Sequence, residues 1–224
     1  MSTTKKKRAP AAYRLPKGRA LMLRTCGADM RAHGGFVWPM SGRVTCPDWS
    51  PVAECGHGLH GLLWGAGDAS QLSTAPDARW LVVEIVAADA VEIGGKIKVP
   101  AGRVVHVGDR ASAVAFVQAH APAGIVCVYG TATAGDRGTA TAGDGGTATA
   151  GVYGTATAGV YGTATAGYGG TATAGDGGTI AVRWWDGDAS RYRIAAADVG
   201  EGGIEAGVRY RVAVEGGKGR LVPA

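Results

Sequence analysis

The strictest alternation of apolar and polar positions lies in residues 128–175. Thr and Ala alternate there in tetrads, and each Thr-Ala-Thr-Ala is bracketed by Gly. Copies begin at Val128, Asp136, Asp144, Val152, Val160 and Tyr168 without insertion, giving six tandem units of x-x-Gly-Thr-Ala-Thr-Ala-Gly. Successive side chains on a strand point to opposite faces, so the Thr of a tetrad share one face and the Ala the other. The Gly supply corners, because Gly accepts backbone angles that other residues resist. Strand plus corner is half a coil of a flat β-solenoid, so the six units close about three coils. Parallel pairing spaces the coils roughly 4.8 Å apart, for a stack about 14 Å tall. So short a unit buries nothing alone and must stack on its neighbours. Copies one, three and five then fall on one side, and two, four and six on the other.

Volume favours Ala inside, since a thin coil admits only small groups. The alternative buries the Thr hydroxyls, each costing about 1–3 kcal/mol without a partner, unless facing Thr ladders satisfy one another. With Ala inside, the candidate surface-binding residues are Thr131, Thr133, Thr139, Thr141, Thr147, Thr149, Thr155, Thr157, Thr163, Thr165, Thr171 and Thr173, in Thr-x-Thr rows. A disordered low-complexity linker is the competing reading. Linkers drift in length and phase, and this segment does neither.

Residues 20–123 carry an ordinary globular pattern. Arg79–Val86 is a strongly apolar strand, and 91–93, 97–99 and 103–107 read as further strands parted by Gly94-Gly95 and Pro100-Ala101-Gly102 turns. Residues 109–119 read as a helix capped by Asp109, with Ala113, Phe116, Val117 and His120 on one face. A helical turn is expected over 67–72. The fold class that follows is an α+β N-terminal domain (20–123), a short β-solenoid (124–178) entered through a Pro122-Ala123-Gly124 hinge, and a β-rich C-terminal cap (179–224). The cap opens like a seventh unit at Thr179 and then gains bulk from Trp184, Trp185, Tyr192 and Tyr210. Strands are expected over 179–185, 191–195, 208–214 and 220–222. A solenoid end exposes unpaired backbone and needs such a cap. A separate binding module using those aromatics with Arg183, Arg191, Arg193, Arg209 and Arg211 is the alternative. The cap or the solenoid faces are also where identical chains would meet.

Ala166-Gly167-Tyr168-Gly169-Gly170-Thr171-Ala172-Thr173 resembles the octapeptide of bacterial ice nucleation proteins, close to Ala-Gly-Tyr-Gly-Ser-Thr-x-Thr. The whole chain also resembles uncharacterised bacteriophage and prophage proteins that join an N-terminal domain of unknown function to octapeptide repeats and a β-rich end. Cys55 to Gly61, residues 96–107, Val182 to Gly187 and Tyr192-Arg193-Ile194 carry that likeness. The phage resemblance implies no activity; the ice resemblance implies Thr rows facing ice or ordered water. The chain departs from the ice pattern in its tyrosines: Tyr129, Tyr153 and Tyr161 sit one position later in their units than Tyr168. Gly145 separates Tyr129 from Tyr161, so no continuous tyrosine ladder is expected. Three coils are also too small a template for a critical ice embryo.

Charge is localised. Of 23 Lys and Arg, eight fall in residues 1–24, where no acid occurs, and the other 15 face 18 acidic residues. Residues 1–19 read as a basic disordered tail able to touch a polyanion without sequence preference. The apolar run after the charges, 9–15, is too short for a secretory signal, and no stretch approaches the roughly 18 apolar residues of a membrane span. A cytoplasmic location (host cytoplasm or virion, if phage-encoded) is therefore expected. Without export, Cys26, Cys46, Cys55 and Cys127 are not expected to form disulfides.

Thiolate and imidazole suit zinc, so Cys46, Cys55, His57 and His60 are metal candidates, though Cys-x-His-x-x-His matches no common zinc spacing. The plainer reading is a strand and turn in which Cys55 and Leu59 are buried and Gly56, Gly58 and Gly61 shape the backbone. A small transferase-like enzyme with His57, His60 and Glu84 at its site is a further alternative, although no Arg, Tyr or Ser-Thr-Ser element completes that set. His33, His106 and His120 read as packing or surface residues, and no cofactor is expected. The leading reading is a non-enzymatic structural or binding protein that displays Thr rows on a rigid solenoid, ahead of an ice- or water-binding protein and of an enzyme.

Overall fold

A computed structural model describes residues 13–224. Its N-terminal part is built on a sheet of seven strands: β1 (Arg19–Cys26), β2 (Gly42–Thr45), β3 (Leu59–Leu63), β4 (Arg79–Val86), β5 (Val91–Glu92), β6 (Ile97–Val99) and β7 (Ala101–Gly108), in the order β2-β7-β4-β1-β3-β6-β5. All pairings in it are antiparallel. One helix, α1 (Arg110–Gln118), packs on it. This part is therefore β-rich with one α-helix among the described residues, and the expected α+β class holds only loosely. The strand expected over Arg79–Val86 has those bounds. Helix α1 starts where Asp109 accepts a hydrogen bond from the Ser112 amide at 2.8 Å, the side-chain cap that satisfies an otherwise orphaned N–H.

The central strands are apolar on both faces because both faces are covered. Leu21, Leu23, Trp80 and Val82 pack under α1 with Ala113, Val114 and Val117. Ala20, Met22, Leu81, Val83 and Ile85 form the opposite core with Trp38, Val99 and Val104. Of the basic tail expected over residues 1–19, residues 1–12 lie outside the described residues. Tyr13 is docked: its ring lies 5.1 Å from those of both Phe116 and His120, and its Oη donates to Glu84 at 2.7 Å.

Downstream lie β8 (Thr131–Ala134), β9 (Thr139–Thr141), β10 (Thr147–Ala150), β11 (Thr155–Thr157), β12 (Thr163–Ala166) and β13 (Thr171–Thr173). Odd copies form one parallel sheet, β8-β10-β12, and even copies the other, β9-β11-β13, each in strict sixteen-residue register (Thr131↔Thr147↔Thr163; Thr139↔Thr155↔Thr171). Six strands on two faces make three coils.

The cap continues both sheets. β14 (Thr179–Asp186) adds in parallel register to β12, and β15 (Arg191–Asp198) folds back on it. β16 (Tyr210–Glu215) adds antiparallel to β13 and pairs with β17 (Lys218–Pro223). Ile180, Val182, Val199, Ile204 and Tyr210 join the Ala core and close its end with larger side chains.

The other end of the stack meets the N-terminal part. Cys127 and Val128 belong to the core beneath α1. Tyr129 meets Trp80 edge to face at 5.7 Å and carries the Arg110 guanidinium 4.9 Å from its centroid. The Val128 amide donates to the Gly65 carbonyl at 2.8 Å. Burial pushes the Cys127 thiol up to about 12.

Candidate functional site

The candidate surface is made by the corners and the core beneath it. Each corner is a four-residue turn closed between its flanking glycines, as in Gly138 N to Gly135 O at 3.0 Å and Gly154 N to Gly151 O at 3.0 Å. The third turn residue takes positive φ in every corner: Arg137 (59°), Gly145 (62°), Tyr153 (57°), Tyr161 (54°), Gly169 (68°) and Gly177 (60°). Positive φ at that position is the signature of a type II turn. The bracketing glycines are needed for another reason. Consecutive corners stack so closely that a Cβ on Gly167 would lie 2.6 Å from the Gly151 carbonyl carbon. At the second turn position, two Asp bind the next coil: Asp136 and Asp144 Oδ1 accept from the amides of Val152 (2.8 Å) and Val160 (2.9 Å).

With the corners stacked, the tetrads align. Ala148, Ala156, Ala164 and Ala172 have no exposure, so the Ala face is inside, as volume requires. The twelve Thr named above lie on the outer faces, exposed in the first copies and half-buried in the later ones. Face one presents Thr131, Thr147 and Thr163 in one row and Thr133, Thr149 and Thr165 in the other. Its first row continues to Thr179, while its second ends at Ala181 beside a hollow walled by Tyr168, Arg183, Tyr192 and Ile194. Face two presents Thr139, Thr155 and Thr171 beside Thr141, Thr157 and Thr173. Parallel in-register strands thus set hydroxyls on a two-dimensional lattice, about 4.8 Å between coils and roughly 6.6 Å along each strand. The β-branched side chains are restricted at χ1, which narrows the positions each hydroxyl can take; Thr155 and Thr171 also share a hydroxyl hydrogen bond at 3.3 Å.

The tyrosines that looked irregular follow a rule of the coil. Tyr129, Tyr153 and Tyr161 each lie over a glycine sixteen residues on: Gly145, Gly169 and Gly177. A Cβ on Gly177 would stand 2.6 Å from Tyr161 Cε1. At these sites a Tyr excludes a side chain from the same corner of the next coil.

The other candidates lie in the N-terminal part. Cys46, Cys55, His57 and His60 line one cavity of about 730 Å³, with Arg24, Trp38, Asp48 and Lys96. They are engaged separately rather than aimed at a common point. Cys46 Sγ donates to Asp48 Oδ1 (3.1 Å), and His57 Nδ1 meets Asp48 Oδ2 (2.8 Å). Lys96 Nζ approaches Cys55 Sγ (3.6 Å), and His60 Nε2 accepts the Gly56 amide (3.3 Å). Leu59 is buried as expected, but Cys55 is exposed, because it sits in the turn before β3 rather than on the strand. Among the described residues no three His, Cys, Asp or Glu side chains are placed to hold a metal ion. Burial pushes the Cys46 thiol up, and its hydrogen bond to Asp48 adds to this, so it is not poised as a thiolate. Glu84 does not join His57 and His60. It is buried elsewhere, accepting from Tyr13 Oη and from Arg103 Nη2, both at 2.7 Å. Burial opposes its ionisation, but those two hydrogen bonds and the Arg103 charge outweigh it and hold the carboxyl below the usual range. The transferase-like set is therefore not assembled. His106 and His120 stack on Phe116, at 5.3 and 4.9 Å, while His33 lines the cavity.

The fold and its surface define a class: a short, two-faced Thr/Ala β-solenoid closed by a β-rich head at one end and paired strands at the other. Residues 20–119 of the head match a family described as a domain of unknown function, DUF7666. About half of the chain is similar to bacterial ice nucleation proteins. It is 44% identical over 115 residues to ice nucleation protein InaU of Pantoea ananas, a match covering 50% of this chain and 11% of the relative. It is 47% identical over 103 residues to one from Pseudomonas syringae (45% and 9%), and 40% identical over 114 residues to one from Xanthomonas campestris pv. translucens (50% and 7%). The chain thus spans about a tenth of the length of these relatives. No solved structure matches. These bacterial relatives add nothing to the bacteriophage kinship expected from the sequence. They overturn the cytoplasmic location, which was read from the short apolar run at 9–15 and from the absence of a membrane-span stretch: the similarity to these ice nucleation proteins conflicts with that assignment. No helix among the described residues is long and apolar enough to cross a membrane.

Proposed function

We propose that the chain is a non-enzymatic display protein whose Thr faces hold ordered water and bind an existing ice surface. The observation that carries this reading is the in-register Thr lattice, repeated on both faces over an Ala core. A flat row of methyl and hydroxyl groups offers apolar contact and hydrogen bonding at fixed spacing, which suits a periodic solid better than a flexible ligand. The sequence likeness to ice nucleation proteins points the same way. Three coils, about 14 Å of stack, are too small to template a critical embryo, so the activity expected of the chain alone is binding ice, not starting it.

The test is ice recrystallisation inhibition and thermal hysteresis on the full chain, with Thr149→Lys (face one), Thr157→Lys (face two) and the double variant. Both positions are half-exposed, so the melt should be nearly unchanged. Loss of the ice effect in the face variant that binds, and in the double variant, is the expected result. An unmodified chain without any ice effect, or a double variant as active as the parent, sinks the reading.

A further inference from the structure

The cavity of the head lies outside the solenoid and is surrounded by cations that lack counter-ions. Arg24 donates to the carbonyls of Thr25 (3.1 and 3.3 Å) and His60 (3.3 Å) and meets no carboxylate among the described residues. Its guanidinium lies 4.2 Å from the centroid of Trp38, a residue 1% exposed, which fixes the charge in place. Lys96 Nζ donates to Gln71 Oε1 at 2.9 Å, again with no carboxylate. Behind the wall, Lys98 is 1% exposed and held by the carbonyls of Glu54 (2.8 Å) and Gly56 (3.2 Å). Asp48 is the carboxylate on this wall, and Cys46 and His57 share it.

Donors are also left over. His60 accepts at Nε2, so its proton sits on Nδ1, where it can be donated. Burial, then Lys96, Arg24 and Lys98, push the pKa of His60 down, which keeps it neutral. Trp38 Nε1 is buried without a partner. The rim is strained: His57 sits at φ 47° beside Gly56 at 99°, a conformation that persists only where surroundings enforce it. Partly buried cations without counter-ions are costly, and an anion entering the cavity relieves that cost.

We propose that this cavity binds a small phosphate monoester, with Arg24, Lys96 and His60 around the phosphate. The Nη1 and Nη2 protons of Arg24 not given to the Thr25 and His60 carbonyls, the Lys96 ammonium and an imidazole N–H supply charge-assisted donors, and a phosphate dianion has the charge and the acceptor oxygens to engage them together. The volume, about 730 Å³, is that of a small-molecule site rather than of an ion alone, so the space beyond the phosphate takes the rest of a nucleotide-sized ligand.

The experiment is calorimetric titration of the full chain with AMP, inorganic phosphate and adenosine, with Trp fluorescence as a second readout. Saturable binding of AMP, displaced by phosphate and not matched by adenosine, is expected. Lys96→Gln should weaken AMP about tenfold with an unchanged melt, and Arg24→Gln should weaken it further. Because Arg24→Gln also disturbs the Trp38 contact, Lys96→Gln is the deciding variant. No saturable binding of AMP or phosphate, adenosine binding as tightly as AMP, or unchanged AMP affinity in Lys96→Gln overturns the proposal.

Discussion

The tyrosine–glycine pairing across coils predicts a graded series. Gly145, Gly169 and Gly177 occupy one backbone position with φ between 60° and 68°. Alanine at any of them meets the left-handed penalty, about 1–2 kcal/mol, and loses part of it back through a stiffer unfolded chain, about 0.4–1 kcal/mol. What differs is the ring above. Tyr161 is 77% exposed and free to swing away, so Gly177→Ala should cost about 1 kcal/mol. Tyr129 is pinned between Trp80 and Arg110, and a Cβ on Gly145 would lie 2.4 Å from its ring. Overpacking adds about 1–3 kcal/mol there, so Gly145→Ala should cost roughly 2–4 kcal/mol. Gly169, under the half-exposed Tyr153, should fall between. Urea unfolding followed by circular dichroism reads the series, and in a thermal scan each kcal/mol is worth about 2–4 °C for a chain of this size. A double-mutant cycle isolates the clash: Gly145→Ala should be milder by about 1 kcal/mol or more when Tyr129 is already Ala. Equal costs at all three glycines, or a cycle with no coupling, would refute the account of why the tyrosines sit where they do.

Two further outcomes follow. Asp186 accepts the Ala189 amide at 3.0 Å and pairs with Arg193, and these hold its carboxyl below the usual range. A depressed folded value means stability present above the unfolded carboxylate pKa, about 3.9, and lost as pH falls through the folded one. The cap should therefore melt earlier in acid, and Asp186→Asn should be less stable at neutral pH but show a shallower acid step; an unchanged acid profile in that variant would count against the pair. Of the four cysteines, Cys55 alone is exposed. Native protein should titrate one thiol with a disulfide reagent and four in denaturant, and a second fast thiol would contradict the packing of Cys127 at the junction.

The solenoid was legible because its evidence is local and repeated. Period, phase and side-chain volume dictate coil length, the division of copies between faces, and Ala inward. The tyrosine rule was also present, as Tyr129/Gly145, Tyr153/Gly169 and Tyr161/Gly177, but it emerges only when residues sixteen apart are compared rather than neighbours. Strand β1 was hidden by its setting: a short apolar run, Ala20 to Leu23, follows a basic stretch and is buried on both sides, which leaves no alternation to detect. Docking of the head on the first coil had no sequence signal, since Val128 and Tyr129 also serve as the opening of a repeat. The Tyr13–Glu84–Arg103 cluster joins residues up to 90 positions apart, and only the fold could bring them together.

The sixteen-residue register restricts how such an array can change length. One coil consumes two octapeptides, and head and cap sit at opposite ends of the same stack. Gain or loss of one unit by slippage would turn every later copy to the opposite side and attach the closing strands half a turn round from the head. Gain or loss of a pair would only lengthen or shorten the column. Viable descendants of this chain should therefore carry even numbers of units between head and cap, so that parity, more than length, is what selection sees.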